Sequence, residues 1–295
     1  MFSEPPVNHM DSTDLNKEDP SLESLAAVMR EVAQAEILPA FGLVQARAKA
    51  DGSLLTEVDL AVQQRLIKAL ERLTPGIAVL GEEMPESEQL RLLERASADD
   101  AHAGEASAFW ALDPLDGTSN FACGFPAFAI SLALFRKGQA ELGIIYDPVR
   151  DECFSARLGQ GAWLNGDPLQ CRRDCQRLAD AMALIDFKRI PPERVPGLIR
   201  TGAFRSQRNL GSVALDWCWL ASGRAQIYLH GAQRLWDYAA GRLIAAEAGV
   251  ITRMLPPGLA EPSAGLTLAP RLAMAAAHPA LFDQWWEHVG LPWRE

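Results

Sequence analysis

The apolar pattern of this 295-residue chain predicts an α+β protein that gives way to an α/β part towards its end. Two stretches of helical period lie before residue 75, and strand-length apolar segments joined by tight turns run from about residue 109 to 166. Past residue 178 short strands and helices alternate. The organisation that follows is a disordered arm over residues 1–18, an α+β subdomain over 19–178 and an α/β subdomain over 179–295.

The arm is polar, carries two prolines and has no hydrophobic period. Order begins at Asp19-Pro20, read as a helix cap followed by proline in the first turn. Leu22, Leu25, Met29 and Val32 then recur at helical spacing as far as Leu38-Pro39. After a polar loop, Thr56 opens a second helix with Val58, Val62, Leu66, Leu70 and Leu73 as its buried stripe, closed by Thr74-Pro75-Gly76. Ile77–Leu80 is a short buried strand ending at Gly81-Glu82-Glu83, and residues 84–108 are a surface helix and loop. Phe109–Leu112 is the next strand, terminated by a turn at Asp113-Pro114-Leu115-Asp116-Gly117-Thr118. Phe128–Phe135 and Gln139–Tyr146 form a hairpin around Arg136-Lys137-Gly138, and Glu152–Leu158 adds a third strand. The later half reads as a strand at Ala181–Ile185, helices near Glu193–Arg200 and Ser212–Ala221, a strand at Ala225–Leu229 and a helix at Asp237–Ala248 closed by Gly249. Residues 255–280 read as compact loops.

Hydrophobic residues make up 48% of the chain and charged residues 22%, enough to build a large core. The longest apolar runs, such as Phe128–Phe135, fall about ten residues short of the ~20 that cross a bilayer, so no membrane partner is expected. No basic-then-apolar leader opens the sequence. Against 38 acidic residues stand 28 basic ones, a formal charge of −10 with no basic cluster evident, so no nucleic-acid partner is expected either. Five scattered cysteines, an odd number, suit a reducing cytoplasm, and the close pair Cys171 and Cys175 lacks the further ligands of a zinc site.

Five acids stand where chemistry is concentrated: Asp59 in a helix's first turn, Glu82 past a strand, Asp113 and Asp116 in one turn, and Asp237 at a late helix start. All are hard oxygen ligands of the kind that magnesium takes, and several ions can share them as bridges. Individually, Asp59 fits a capping box with Thr56, Asp237 fits a helix-dipole acid, and Glu82-Glu83 fits a solvated loop. Two acids flanking Pro-Leu directly after a buried strand exceed what a turn requires.

Gly81-Glu82-Glu83, then Trp110-Ala-Leu-Asp113-Pro-Leu-Asp116-Gly-Thr118-Ser-Asn120-Phe121, then Leu235-Trp236-Asp237 through Glu247-Ala-Gly249 resemble the inositol monophosphatase family of magnesium-dependent, lithium-sensitive phosphatases. The likeness spans about residues 20–290 and implies a layered αβαβα sandwich of the inositol monophosphatase and fructose-1,6-bisphosphatase type. It further implies that Glu82, Asp113, the Leu115 carbonyl, Asp116 and Asp237 hold two or three magnesium ions. Asp59, Glu82 and Thr118 would then be catalytic, orienting or deprotonating the water that attacks phosphorus. Amides at Gly117 and Thr118 would hold phosphate oxygens, and Gly211-Ser212 would contact the substrate. Where inositol-preferring members carry an acid seven residues before the Trp-Asp aspartate, this chain has His230. Lys49 falls where the family has a mobile loop.

The implied activity is hydrolysis of inositol 1-phosphate or a similar polyol or sugar phosphate by a homodimer. Phosphatases of 3′-phosphoadenosine 5′-phosphate, fructose 1,6-bisphosphate or histidinol phosphate remain alternatives, as does a non-catalytic protein on the same scaffold. Rival phosphatase motifs fit less well. The spacing Asp113-Pro-Leu-Asp116-Gly-Thr misses the Asp-x-Asp-Gly-Thr of haloacid dehalogenases by one residue, and Cys171–Arg177 has the Cys-x5-Arg spacing without the glycines of a phosphate loop.

Overall fold

The computed structural model describes residues 19–49, 54–97, 108–200, 202–256 and 266–291, so the arm over residues 1–18 lies outside the described residues. Ser21, rather than Asp19, caps the first helix by accepting from Ser24 N at 3.1 Å, and α1 runs Leu22–Val32 before widening into a π turn through Ile37. Asp19 is instead held by Arg136 and Arg157. A two-residue pair, β1 (Arg47–Ala48) and β2 (Leu54–Leu55), precedes α2 (Glu57–Leu73), which Thr56 caps as the sequence indicates.

Seven strands then form one sheet in chain order: β3 (Ala78–Gly81), β4 (Phe109–Asp116), β5 (Ala129–Arg136), β6 (Gln139–Asp147), β7 (Glu152–Arg157), β8 (Gly161–Leu164) and β9 (Asp167–Leu169). β3 and β4 are parallel because α3 (Glu86–Ser97) lies between them; every later neighbour is antiparallel. The expected turn after Leu112 is strand as far as Asp116. Asp113 pairs with Ser131 and Asp116 with Ala129, so β4 carries one extra residue, a bulge that re-aims its side chains. Gly117, at φ 94°, then opens the short α4 (Thr118–Cys123), and a Cβ there would meet Ala127 O at 2.9 Å.

The second sheet has the order β11 (Ser206–Arg208), β10 (Met182–Asp186), β12 (Ile227–Gln233), β14 (Arg271–Ala276) and β13 (Ile251–Leu255). Part of the segment read as loops is therefore the strand β14, buried along its whole length and paired on both sides. Its Arg-Leu-Ala-Met-Ala-Ala sequence has no β-branched residue to announce a strand. The helix expected near Glu193–Arg200 is only the one-turn α5 (Val195–Leu198).

Three cores alternate with the sheets. α1 and α2 bury Leu25, Met29, Val62 and Leu66 against Leu112, Ile130 and Ile144. On the other face α6 (Val213–Ala221) and α7 (Leu235–Glu247) fill the space between the sheets with Trp217, Ala240 and Ile244. α8 (Pro279–Val289) closes the outer face of the second sheet through Leu281 and Trp285. The layers are thus αβαβα. At Gly143 of β6 an added Cβ would lie 2.9 Å from Ala240 Cα and O, so α7 rests on bare backbone there. Among the described residues no helix is long and apolar enough to cross a membrane.

Candidate active site

The bulged end of β4, the end of β3, and the starts of α4, α6 and α7 open into one cavity of about 220 Å³. Glu82, Asp113, Leu115, Asp116, Gly117, Thr118, Gly211, Ser212, His230 and Asp237 all line it. Asp59 does not, but it reaches the wall through Thr118, whose Oγ1 lies 3.1 Å from Asp59 Oδ1 and 3.0 Å from Leu115 O. Its other oxygen closes the capping box, accepting from Thr56 N at 2.8 Å. One carboxylate thus serves both the helix start and the threonine, so the capping box leaves an oxygen of Asp59 to meet Thr118. Burial raises its pKa above the usual aspartate value, against the hydrogen bonds from Thr56 and Thr118.

Asp113 is 2% exposed, and burial, followed by the charges of Glu82, Asp116 and Asp237, holds its pKa well above the usual range. Burial also raises Asp116, to about 6, although Ser212 Oγ and Ala214 N donate to its Oδ2. Asp237, whose Oδ2 accepts from Arg234 N at 2.8 Å, is pushed well up by burial and by Glu82 and Asp116. The mutual repulsion of these acids is the electrostatic form of a cation site. Lys49 supplies one cation of the protein's own, its Nζ 2.7 Å from Glu82 Oε1 and 2.6 Å from Glu83 Oε1. Burial works against that ammonium, yet Glu82 and Glu83 outweigh it and raise its pKa. Glu83, buried beside it, moves up to about 7.

With these partners in place, no three His, Cys, Asp or Glu side chains among the described residues converge closely enough to enclose an ion. The donor set nonetheless fits magnesium: hard carboxylate oxygens, raised in pKa by one another, around a carbonyl.

The substrate-side candidates are more divided. Gly211 has φ 72° and packs against Asn120, which ties α4 to the α6 loop through Ala127 O and Leu210 O at 2.6 and 2.7 Å. Ser212 gives its hydroxyl proton to Asp116 and accepts from Leu215 N at 3.3 Å, so both its functions are internal to the protein. His230 is 6% exposed and neutral at pH 7, its pKa lowered to about 4 by burial and by Arg189 against the pull of Asp186. Its Nε2 stands 3.6 Å from Asp186 Oδ2.

Three neighbours escaped the sequence reading. Lys188 and Arg189 join His230 on the wall, where a 3-10 turn after β10 carries them. Asp216 is 2% exposed, and among the described residues its Oδ1 has no hydrogen-bond partner. Burial, then the charge of Asp116, keeps its pKa well above the usual value. The one signal for it was an acid set in the otherwise apolar run Val-Ala-Leu-Asp-Trp-Cys-Trp-Leu-Ala.

The sequence profile of the inositol monophosphatase family matches residues 18–289. The Nus factor SuhB of Pasteurella multocida is 33% identical over 215 residues, 70% of this chain and 73% of that protein. Among solved structures, the extragenic suppressor protein suhB of Bartonella henselae superposes with a TM-score of 0.75 at 23% identity, over 92% of this chain and 99% of that one. An IMPase of Thermotoga maritima gives 0.74 at 22%, over 91% and 96%. The name Nus factor corrects the expectation that nucleic acid has no place among the partners. That expectation rested on total charge, which averages over the surface, and on seeing no basic cluster, yet between Arg172 and Arg208 the chain has nine basic residues against four acidic. The profile, the relative and the αβαβα layers agree, and the chain belongs to the inositol monophosphatase family.

Proposed function

We propose that the chain is a magnesium-dependent phosphomonoesterase acting on a small polyol or sugar phosphate. The observation that supports this most is the convergence of Glu82, Asp113, Asp116 and Asp237, brought from β3, β4 and α7, on one cavity beside Thr118. Glu82, Asp113, the Leu115 carbonyl, Asp116 and Asp237 would hold the metal. Magnesium bound there neutralises phosphate charge and acidifies water.

In the proposed reaction a water oxygen bonds to phosphorus as the ester P–O bond breaks, giving inorganic phosphate and the alcohol. Asp59 and Thr118 work as a unit: the threonine hydroxyl orients the water, and Asp59, its pKa raised by burial, accepts the proton. The same carboxyl can return that proton to the departing alkoxide. Gly117, with no side chain and a positive φ, lets backbone amides approach the phosphate oxygens. Gly211 and His230 form the wall beside the leaving group.

A second reading is favoured by Lys188 and Arg189, which bring two positive charges to that wall. They suit a leaving group with a further negative charge, as in fructose 1,6-bisphosphate or 3′-phosphoadenosine 5′-phosphate. The five cysteines are all unpaired, which suits a cytosolic setting for either substrate.

The test is phosphate release with and without magnesium from inositol 1-phosphate, fructose 1,6-bisphosphate, histidinol phosphate and 3′-phosphoadenosine 5′-phosphate. Magnesium-dependent release supports the reading, and the ranking separates the two substrate classes. Asp113→Asn and Asp237→Asn should each lower kcat at least ~100-fold, and wild-type rates in both would overturn the metal assignment.

A further inference from the structure

A second charged cavity, of about 400 Å³, lies on the other flank of α7, and it shares no lining residue with the first. It occupies the cleft between the sheets. The β5–β6 turn forms one side, α7 the floor, and β13 with the start of β14 the other side. Arg242 of α7, Arg253 of β13 and Arg271 of β14 all face it.

The only acid lining this cavity among the described residues is Glu247. Its two oxygens are occupied, accepting from the Gly159 and Gly161 amides at 2.8 Å each. Neither Arg242 nor Arg253 forms an ion pair with a described residue. Arg253, on the edge strand β13, donates to Thr252 O at 3.1 Å and its guanidinium lies 5.8 Å from the centre of the Phe282 ring. Arg271, buried at the back, bonds the Tyr238 hydroxyl and adds positive potential to the interior. The charges are close enough to act on each other: burial lowers the pKa of Arg242, and Arg271 and Arg253 lower it further.

Folding that brings like charges to a common, partly dehydrated cleft costs free energy, which an anion between them recovers. A guanidinium's planar fork matches the oxygens of phosphoryl and carboxylate groups alike. We propose that this cleft is an anion-binding site separate from the catalytic cavity, taking a small ligand with two or three negative charges between Arg242 and Arg253. Arg271 adds to the field without being required as a direct ligand. Phosphoryl and carboxylate compounds share the required chemistry, so the test uses one of each.

The experiment is calorimetric titration of the full chain, stripped of metal and then dialysed into metal-free buffer without chelator, with pyrophosphate and with propane-1,2,3-tricarboxylate. Without metal the catalytic cavity presents Glu82, Asp113, Asp116 and Asp237 to an anion, with Lys188 and Arg189 on its wall, and the two double variants below tell binding there from binding in the second cleft. One-site binding of either probe, weakening as salt is raised, is expected. The tighter of the two identifies the ligand as phosphoryl or carboxylate. Arg242→Gln/Arg253→Gln should weaken it about tenfold or more, and Arg253→Gln alone by less. Lys188→Gln/Arg189→Gln, on the wall of the other cavity, should leave it unchanged. Each of these four side chains reaches solvent, Arg242 from within the cleft, and unchanged melting of each variant shows that its fold persists. The proposal is overturned if neither probe binds, if binding survives in Arg242→Gln/Arg253→Gln, or if it is lost in Lys188→Gln/Arg189→Gln.

Discussion

Thr118 has one hydroxyl proton and two oxygens within reach of it, Asp59 Oδ1 and Leu115 O. Its value lies in that choice, because the proton can turn from one acceptor to the other as charge moves. Thr118→Val keeps the volume and removes the proton, so kcat for phosphate release should fall by ~100-fold while melting changes little. Ser212→Ala should act differently. It removes a helix cap, costing about 1 kcal/mol, and it removes a donor from the Asp116 carboxylate. A carboxylate that loses a donor is harder to ionise, so the Asp116 pKa should move up from about 6. The acidic limb of the pH–rate profile would then shift to higher pH, and an unchanged limb would show that another group controls it. At this scale the acids were legible in the sequence because they cluster beside strand and helix ends. Lys188, Arg189 and Asp216 were not, because their neighbours are set by contacts between elements distant in sequence.

Most elements before residue 170 were legible, since their hydrophobic periods and turn residues are local. The bulge in β4 was not: Pro114 and Gly117 mark a departure from regular structure, but only pairing with β5 distinguishes a bulge from a turn. β14 was hidden by its alanines, which become a strand only between β12 and β13. Gly143 matters at this scale because α7, which carries Asp237 in its first turn, lies against it. Gly143→Ala should push the helix off the sheet at a cost of about 1–3 kcal/mol. Activity should fall with stability, although the residue touches no part of the catalytic cavity. A melting curve and kcat on the same preparation check both, and loss of stability with full activity would show that α7 can shift without carrying Asp237 away.

For the whole molecule, the gathered acids link metal, proton and fold. Asp116 and Glu83 have folded-state pKa values raised to about 6 and about 7, so their neutral forms favour the native state. That contribution is full below the ordinary carboxylate range and is lost as pH rises through the raised values. In EDTA, their part of the stability should therefore decline between about pH 4 and pH 7. Magnesium needs the ionised acids, so its increase in melting temperature should be larger at pH 7.5 than at pH 5. An equal increase at both pH values would mean that Asp116 does not take the ion. Lys49 is the competing charge: Lys49→Gln should bind magnesium more tightly by calorimetry, since no ammonium then sits on Glu82. Total charge was the least informative reading, because a sum of −10 is compatible with a strongly basic stretch between Arg172 and Arg208.

The strand order of the second sheet has a consequence in time. The first sheet is complete once residue 169 has left the ribosome, since each of its strands pairs with the one made just before it. In the second sheet β12 must wait for β14, and residue 276 emerges roughly 2–9 s after residue 233 at ordinary rates of synthesis. Throughout that interval the nascent chain exposes a strand edge running through Ile227, Tyr228 and Leu229, with the partner that covers it not yet made. Two ribosomes on one message would bring such edges close together, and a slow stretch of codons between β12 and β14 would prolong the exposure.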